Sequence, residues 1–235
     1  MELVRADLDI AHWRDHAYWR ARAPALHLND ADWWARQDGL TLSAPLLAAS
    51  RAALLSEGYV QLDPVQWALP LDRMAALVSG LRQDGLPPVM AWLYDEFWAA
   101  HRQLLPLSAA LLDGPVASLP NFWAWCIDPQ TAESGWQPHR DVGRRALFHD
   151  GAPKIISYWL PLTAATPLNG CMYVVPADRD PTYNTEEDTT QPRLPRANEV
   201  ASQDWLTAFL ICLSLCSRRV PRTFDGGPCH FRRRV

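Results

Sequence analysis

The segment 135–141, which reads G-W-Q-P-H-R-D, carries the residue types and spacing that could do chemistry. His139 and Asp141 are separated by one residue, and residues two apart on a β-strand point to the same face. On a strand over residues 136–142, the imidazole and the carboxylate would therefore converge on one point. Such a pair supplies two of the three ligands in a two-histidine, one-carboxylate site for non-haem Fe(II). The alternative is a surface strand with a histidine and an aspartate on one side, since this short pattern also occurs by chance.

The sequence after Asp141 extends this pattern. An apolar run, I-I-S-Y-W-L-P-L, occupies residues 155–162, and T-A-A-T-P-L-N-G-C-M-Y-V-V-P follows over residues 163–176. The H-x-D pair, the apolar strand, the T-x-x-T-P-x-N-G turn and the V-x-P strand end together resemble the phytanoyl-CoA dioxygenase-like family of Fe(II)/2-oxoglutarate oxygenases. The resemblance covers about residues 121–184, and E-G-Y-V-Q-L at residues 57–62 is a weaker echo of the family's first strand.

The resemblance implies both a fold class and a chemistry. The fold is α+β, with a double-stranded β-helix core of the jelly-roll or cupin-like kind and N-terminal helices packed outside it. Fe(II) is the implied metal, 2-oxoglutarate the cosubstrate, and O₂ and a small or lipid-like organic molecule the substrates of a hydroxylation. His139 and Asp141 would bind the iron. Ser157 and Tyr158, on the neighbouring predicted strand, could hydrogen-bond the cosubstrate or serve as ordinary core and sheet residues.

The C-terminal part of the chain departs from the family at the third iron ligand. In the family this ligand is a distal histidine on a later strand, and the only histidine here after His149 is His230. The sequence around His230 differs from that strand, which leaves two interpretations. Either His230 completes the site, or the tail replaces the family's closing strands and leaves the site one ligand short. The second is favoured, because missing strands would also remove the arginine that holds the far carboxylate of 2-oxoglutarate.

That carboxylate needs a cationic partner, ideally a bidentate arginine. Arg140 lies between the two predicted ligands, so on a strand its side chain should point to the opposite face. The candidates from the sequence are Arg140, Arg144, Arg145, Arg218, Arg219 and Arg222.

Other groups of possible metal ligands are weaker. His12 and His16 have the i, i+4 spacing of a helical metal pair, but no third ligand lies nearby in the sequence, which favours a solvated helix face. Cys212, Cys216, Cys229 and His230 have irregular spacing for zinc, and small apolar core residues are the alternative for the first two. Four tryptophans could line a pocket or pack in the core: Trp123, Trp125, Trp136 and Trp159.

The 235 residues suit one domain over residues 1–235, mainly helical to residue 115, with a β-core and an atypical tail from residue 116. A formal net charge of −4 gives no basic footprint for nucleic acid. We expect no membrane span, because no run of about 18 apolar residues occurs. The odd count of 5 cysteines and a charged N-terminus favour a reducing, cytoplasmic setting.

The periodicity predicts helices over residues 45–57, 70–83 and 90–105, with Gly58 ending the first. It predicts strands over residues 59–62, 122–127, 136–142, 155–162 and 171–175, with the strand over 155–162 buried on both faces. Residues 176–200 are polar and read as a loop.

Two functions of different classes fit the sequence. The first is an Fe(II)/2-oxoglutarate dioxygenase. The second is a non-catalytic jelly-roll protein with an incomplete iron site that binds a ligand or a partner. A third, weaker option is a cupin-like enzyme that uses another divalent metal without 2-oxoglutarate. The sequence does not indicate the substrate or the oligomeric state.

Overall fold

The N-terminal half of the chain is mainly helical. A computed structural model of the chain describes residues 10–62, 68–127, 139–165, 172, 174–186 and, for the backbone, 208–217. Its α-helices are α1 (His16–Arg22), α2 (Ala31–Ala35), α3 (Ala44–Glu57), α4 (Leu71–Gln83) and α5 (Asp95–Leu111), with 3₁₀ helices at Ile10–Arg14, Pro88–Leu93, Gly143–Ala146 and Ala177–Arg179. None of the helices in this described part is both long and apolar enough to cross a bilayer.

Side-chain caps and a glycine fix several of these helix ends. The Asp15 carboxylate accepts a hydrogen bond from Ala17 N at 2.8 Å at the start of α1, and the Asp30 carboxylate accepts one from Trp33 N at 2.8 Å at the start of α2. Helix α3 ends at Gly58, whose φ of 78° lies in the left-handed region that favours glycine. The prediction that Gly58 ends this helix is thereby confirmed.

Helices α4 and α5 carry most of the hydrophobic core. The buried positions of each helix recur at intervals of three and four residues, so each presents one continuous apolar face. The fully or almost fully buried side chains on these two faces are Met74, Val78, Leu81, Phe97, Leu104 and Leu107.

The prediction of one helix over residues 90–105 is wrong at Tyr94. This residue is extended, with φ −96° and ψ 142°, and it separates the 3₁₀ helix Pro88–Leu93 from α5. Its hydroxyl is buried and donates a hydrogen bond to Trp19 O at 2.6 Å. The break at Tyr94 thus coincides with a hydrogen bond to a residue 75 positions earlier. The local helical pattern does not indicate this hydrogen bond.

In the described part of the chain, three antiparallel strands form a sheet: β1 (Val116–Ile127), β2 (Ile155–Pro161) and β3 (Ala208–Ser217). Their spatial order is β1–β3–β2, so the strand from the C-terminal part lies in the centre. Its Cys212 lies opposite Trp123 of β1 on one side and Trp159 of β2 on the other.

One face of this sheet packs against the helices. The side chains that contact the helical core alternate along β1 and β2, as expected for strands with one packed face; they are Phe122, Ala124, Cys126, Ile156, Tyr158 and Leu160. Ser157 and Pro161 on the other face of β2 are exposed, so the expectation that this strand is buried on both faces is wrong.

Other predicted strands are absent from the described residues. Residues 59–62 are not in a strand, and neither are residues 139–142 or the described residues 172, 174 and 175. Residues 136–138, together with 169–171 and 173, lie outside the described part. The mixed helix and strand content agrees with the predicted α+β class.

Two tyrosine hydroxyls link the helices to other parts of the core. Ser108 Oγ donates to Leu104 O at 2.7 Å, so the single hydroxyl proton of Ser108 is used and Tyr158 donates to Ser108 Oγ, also at 2.7 Å. Burial raises the pKa of Tyr158 to about 12, although the hydrogen bond with Ser108 acts in the opposite direction. Burial likewise raises the pKa of Tyr94 to about 12, with the charge of Arg22 opposing the shift.

These raised pKa values predict a loss of stability in alkali. Each folded-state pKa lies above the unfolded value of about 10, so this stabilisation is complete below pH 10 and is lost as the pH rises towards 12. The expected slope is up to about 1.4 kcal/mol per pH unit for each tyrosine. Urea unfolding between pH 9 and 11 checks this: Tyr94→Phe and Tyr158→Phe should each flatten the decline. Tyr59→Phe, which removes neither of these hydrogen bonds, should not, and equal slopes in all four proteins would contradict the prediction.

Candidate functional site

His139 and Asp141 converge, as their spacing predicted. His139 Nε2 lies 3.3 Å from Asp141 Oδ1, and the two side chains are 43% and 38% exposed. The backbone that brings them together differs from the predicted strand, because residues 139–142 form an irregular bend. Gly143 follows the bend with φ 63°, a conformation that favours glycine, and opens the 3₁₀ helix Gly143–Ala146.

Backbone hydrogen bonds close the loop between the 3₁₀ helix Gly143–Ala146 and β2. Lys154 N donates to Ala146 O at 2.7 Å, and Phe148 N donates to Ala152 O at 2.8 Å. Leu147 and Pro153 form an antiparallel bridge between these two bonds. The bend with the two candidate ligands is therefore followed by a short, closed loop that leads into the sheet.

Two residues farther along the chain hold the Arg140 side chain. Its guanidinium forms an ion pair with Asp180 and donates to Thr182 Oγ1 at 2.7 Å. The side chains of Arg140 and Asp180 are only 15% and 11% exposed. Burial acts to raise the pKa of the Asp180 carboxyl, but hydrogen bonds from Arg140 and Thr182 outweigh it and hold that pKa below its usual range.

Only two of the other arginine candidates lie in the described part of the chain, and both are exposed. Arg144 and Arg145 are exposed on the 3₁₀ helix, whereas Arg218, Arg219 and Arg222 lie outside the described residues. Because Asp180 and Thr182 engage Arg140, its guanidinium is a poor candidate for holding the far carboxylate of 2-oxoglutarate.

The donor set of His139 and Asp141 fits part of an iron site. A neutral imidazole nitrogen and a carboxylate oxygen both suit borderline divalent metals. With metal–ligand bonds of about 2.1 Å, two neighbouring ligand atoms would be roughly 3 Å apart, close to the observed 3.3 Å. Within the described residues, no third histidine, cysteine or carboxylate joins the pair in a group able to hold a metal. His230, the predicted third ligand, lies outside the described part of the chain.

Ser157 and Tyr158 point to opposite faces of β2. Tyr158 packs against the helical core with its hydroxyl on Ser108, which favours the core role that the sequence left open. Ser157 is exposed on the other face. Trp123 and Trp125 lie on the corresponding face of β1 and stack with ring centroids 5.5 Å apart.

Among the described residues, none of the weaker metal candidates belongs to a group of three or more possible ligands. His12 lies in the 3₁₀ helix Ile10–Arg14, and its ring stacks on Tyr18 at 5.5 Å, whereas His16 begins α1. Cys212 and Cys216 lie in β3, and Cys229 is outside the described residues, as is Trp136.

Sequence reasoning missed Asp180. Its D-P-T context indicates a turn, and Asp180 Oδ1 indeed accepts a hydrogen bond from Thr182 N at 3.1 Å. Nothing in that local pattern identifies Arg140 as its partner.

Comparison with known protein families places this geometry in context. The family described as phytanoyl-CoA dioxygenase (PhyH) matches residues 82–208, more than half of the 235-residue chain. The match includes the H-x-D segment, β1 and β2. Searches of the curated proteins and of the solved structures returned no match. The extent of the family match shows that the chain belongs to the phytanoyl-CoA dioxygenase family.

Proposed function

We propose that this protein is an Fe(II)/2-oxoglutarate-dependent dioxygenase that hydroxylates a small or lipid-like organic substrate. The observation that carries the proposal is the convergence of His139 and Asp141, 3.3 Å apart, inside the region that matches the family. Both side chains are partly exposed, so a metal ion and a small molecule can reach them from solvent. A cytoplasmic setting remains part of the proposal.

In this proposal His139 and Asp141 hold the metal through Nε2 and Oδ1. For binding, His139 must present a deprotonated Nε2, and Asp141 must be ionised. When bound, Fe(II) together with 2-oxoglutarate would supply O₂ activation coupled to oxidative decarboxylation of the cosubstrate to succinate. Ser157 offers a hydroxyl to the cosubstrate from the exposed face of β2, a role for which it is better oriented than Tyr158.

We extend the proposal to the fold. The three described strands would belong to a double-stranded β-helix core with the helices outside it. Residues 1–235 would form a single oxygenase-like domain, because Ala124 of β1 and Leu162 after β2 share one core with the helices. His230 stays the proposed third ligand, since it is the only histidine after His149.

The second candidate function is a non-catalytic jelly-roll domain that binds a ligand or a partner. The observation that favours it is the lack of a third metal ligand near His139 among the described residues. The two candidates differ in whether Fe(II) and 2-oxoglutarate bind together.

Anaerobic titration with Fe(II) and then 2-oxoglutarate tests the proposal. A visible charge-transfer band from the chelated cosubstrate is expected in the wild type and should be lost in His139→Ala. His149→Ala is the matched control, because His149 is an exposed histidine in the same loop region and its loss should leave the band unchanged. No band in folded wild-type protein would refute the dioxygenase and favour the binding domain. In a band-forming protein, His230→Ala should abolish the band if His230 is the third ligand.

A further inference from the structure

The Arg140 side chain is much less exposed than the side chains of the two candidate ligands on either side of it. His139 and Asp141 are 43% and 38% exposed, whereas the Arg140 side chain is 15% exposed. Arg140 is joined to both candidate ligands, one peptide bond away on either side. Holding its side chain in place therefore restricts where the backbone carries His139 and Asp141.

The groups that hold Arg140 form a closed network. The Arg140 guanidinium pairs with Asp180 Oδ2 and donates to Thr182 Oγ1 at 2.7 Å. Thr182 in turn donates to Asp180 Oδ1 from its hydroxyl at 3.0 Å and from its backbone N–H at 3.1 Å. Asp180 thus receives hydrogen bonds on both oxygens and is oriented by its own loop before it meets Arg140.

The loop that supplies Asp180 is itself anchored to a helix end. Residues 177–186 approach Gly58, where an added Cβ would lie 3.3 Å from Ala177 Cβ and 3.7 Å from the Tyr183 ring. Gly58 ends α3. The network therefore connects the H-x-D bend, through Asp180, to a part of the fold remote in sequence.

We propose that Arg140 and Asp180 are positioning residues that hold His139 and Asp141 in their metal-binding arrangement. The proposal rests on the function proposed above. It also assigns a role to the loop over residues 177–186, whose attachment at Asp180 determines how well the metal is bound. The two buried charges compensate each other, so loss of Asp180 alone would leave an unbalanced guanidinium beside the metal ligands and weaken cation binding further.

Metal affinity measured by calorimetry with Co(II), in the presence of 2-oxoglutarate and without turnover, tests this role. Arg140→Ala and Asp180→Asn should each weaken Co(II) binding about 10- to 100-fold, the range found when a group supporting a metal ligand is removed. The double variant should be no weaker than the worse single variant, because both changes break one interaction. Arg140→Lys should recover part of the affinity, since it restores the charge.

Two control variants distinguish a loss of ligand positioning from a general loss of folded structure. His149→Ala removes an exposed side chain from the loop that follows the same ligands, and Arg179→Ala removes an exposed arginine from the same loop as Asp180. Both should bind Co(II) like the wild type. Circular dichroism identifies variants that fold normally, and Asp180→Asn, which preserves the side-chain shape, serves where Arg140→Ala does not fold.

The outcomes distinguish this inference from the function on which it rests. If the wild type binds Co(II) and the folded Arg140 and Asp180 variants bind it equally well, positioning is overturned while the metal site stands. If the folded wild type binds no Co(II), the proposed function fails and the positioning role fails with it. Selective weakening in the two variants, with both controls unchanged, supports the proposal.

Discussion

A proline at Cys212 should prevent the chain from folding, whereas an alanine at the same position should leave the fold intact. Cys212 lies in the middle of β3, opposite Trp123 of β1 and Trp159 of β2. A central strand bonds to neighbours on both sides, so a residue without a backbone N–H is tolerated only at edges and bulges. Since β1 and β2 are joined through β3 in the described sheet, its loss would separate them.

The expected magnitude is comparable to the stability of the whole domain. A typical domain is stable by about 5–15 kcal/mol, and loss of a central strand removes paired backbone on two sides together with the core face of the sheet. Far-UV circular dichroism and urea unfolding followed by tryptophan fluorescence measure the effect. Cys212→Ala keeps the N–H and is the matched control. A Cys212→Pro protein that unfolds cooperatively near the wild-type urea midpoint would show that β3 is not the central strand.

The position of β3 bears on the C-terminal part of the chain. The sequence favours a tail that replaces the family's closing strands, and the family match ends at residue 208. Residues 208–217 nevertheless form a strand that pairs with both β1 and β2. An apolar run predicts a strand but carries no information about its partners, which here are paired residues at least 49 positions away in sequence. Residues 218–235, including His230, lie outside the described part, so the third ligand stays a prediction.

Helix limits were predictable where the signals are local. The limits of α3 and α4 agree with the predicted ones within one residue, because apolar periodicity and Gly58 mark them. The break at Tyr94 was not predictable, since its hydroxyl bonds to Trp19 O across 75 positions. Local pattern therefore determines where a helix is favoured, and distant contacts determine where it is interrupted.

In the candidate site, too, local sequence predicts some features, whereas contacts between residues distant in sequence are not predictable. The convergence of His139 and Asp141 followed from their spacing, although the strand assumed for it is a bend in the described residues. Spacing also predicted that Arg140 points the other way. Its partner Asp180 is 40 positions downstream, and no local signal connects the two. Sequence thus indicated the candidate ligands but missed the network around Arg140, the residue between them.

A buried carboxylate on α5 contacts the segment around His27. Glu96 is fully buried, and both of its oxygens accept a hydrogen bond from His27 N at 3.1 Å. His27 Nδ1 lies 2.6 Å from Glu96 Oε1, and the His27 ring stacks on Trp33 with centroids 4.7 Å apart. The neighbouring Asp95 N donates to His27 O at 3.0 Å. The segment around His27 is therefore docked on the first turn of α5 through one carboxylate and one backbone bond.

His27→Ala should destabilise the protein by about 3 kcal/mol, although the His27 side chain is 37% exposed. The reason is that the loss falls on Glu96, which stays buried with only the backbone N–H of residue 27 as a partner from this contact. Thermal unfolding should show a decrease in Tm of roughly 6–12 °C, because 1 kcal/mol corresponds to about 2–4 °C at this chain length. His149→Ala, at an exposed histidine in a loop, should change Tm little.

The double variant His27→Leu/Glu96→Leu distinguishes loss of the pair from loss of packing. The double variant removes the buried Glu96 carboxylate together with its partner His27, and such replacements are often neutral or stabilising. The double variant should therefore be more stable than His27→Ala. If His27→Ala melts within about 1 °C of the wild type, the exposed edge of the ring determines its contribution and Glu96 needs no side-chain partner. If the double variant is instead the least stable of the three proteins, the contact stabilises mainly through the shape of the histidine and glutamate side chains, and their charge is secondary.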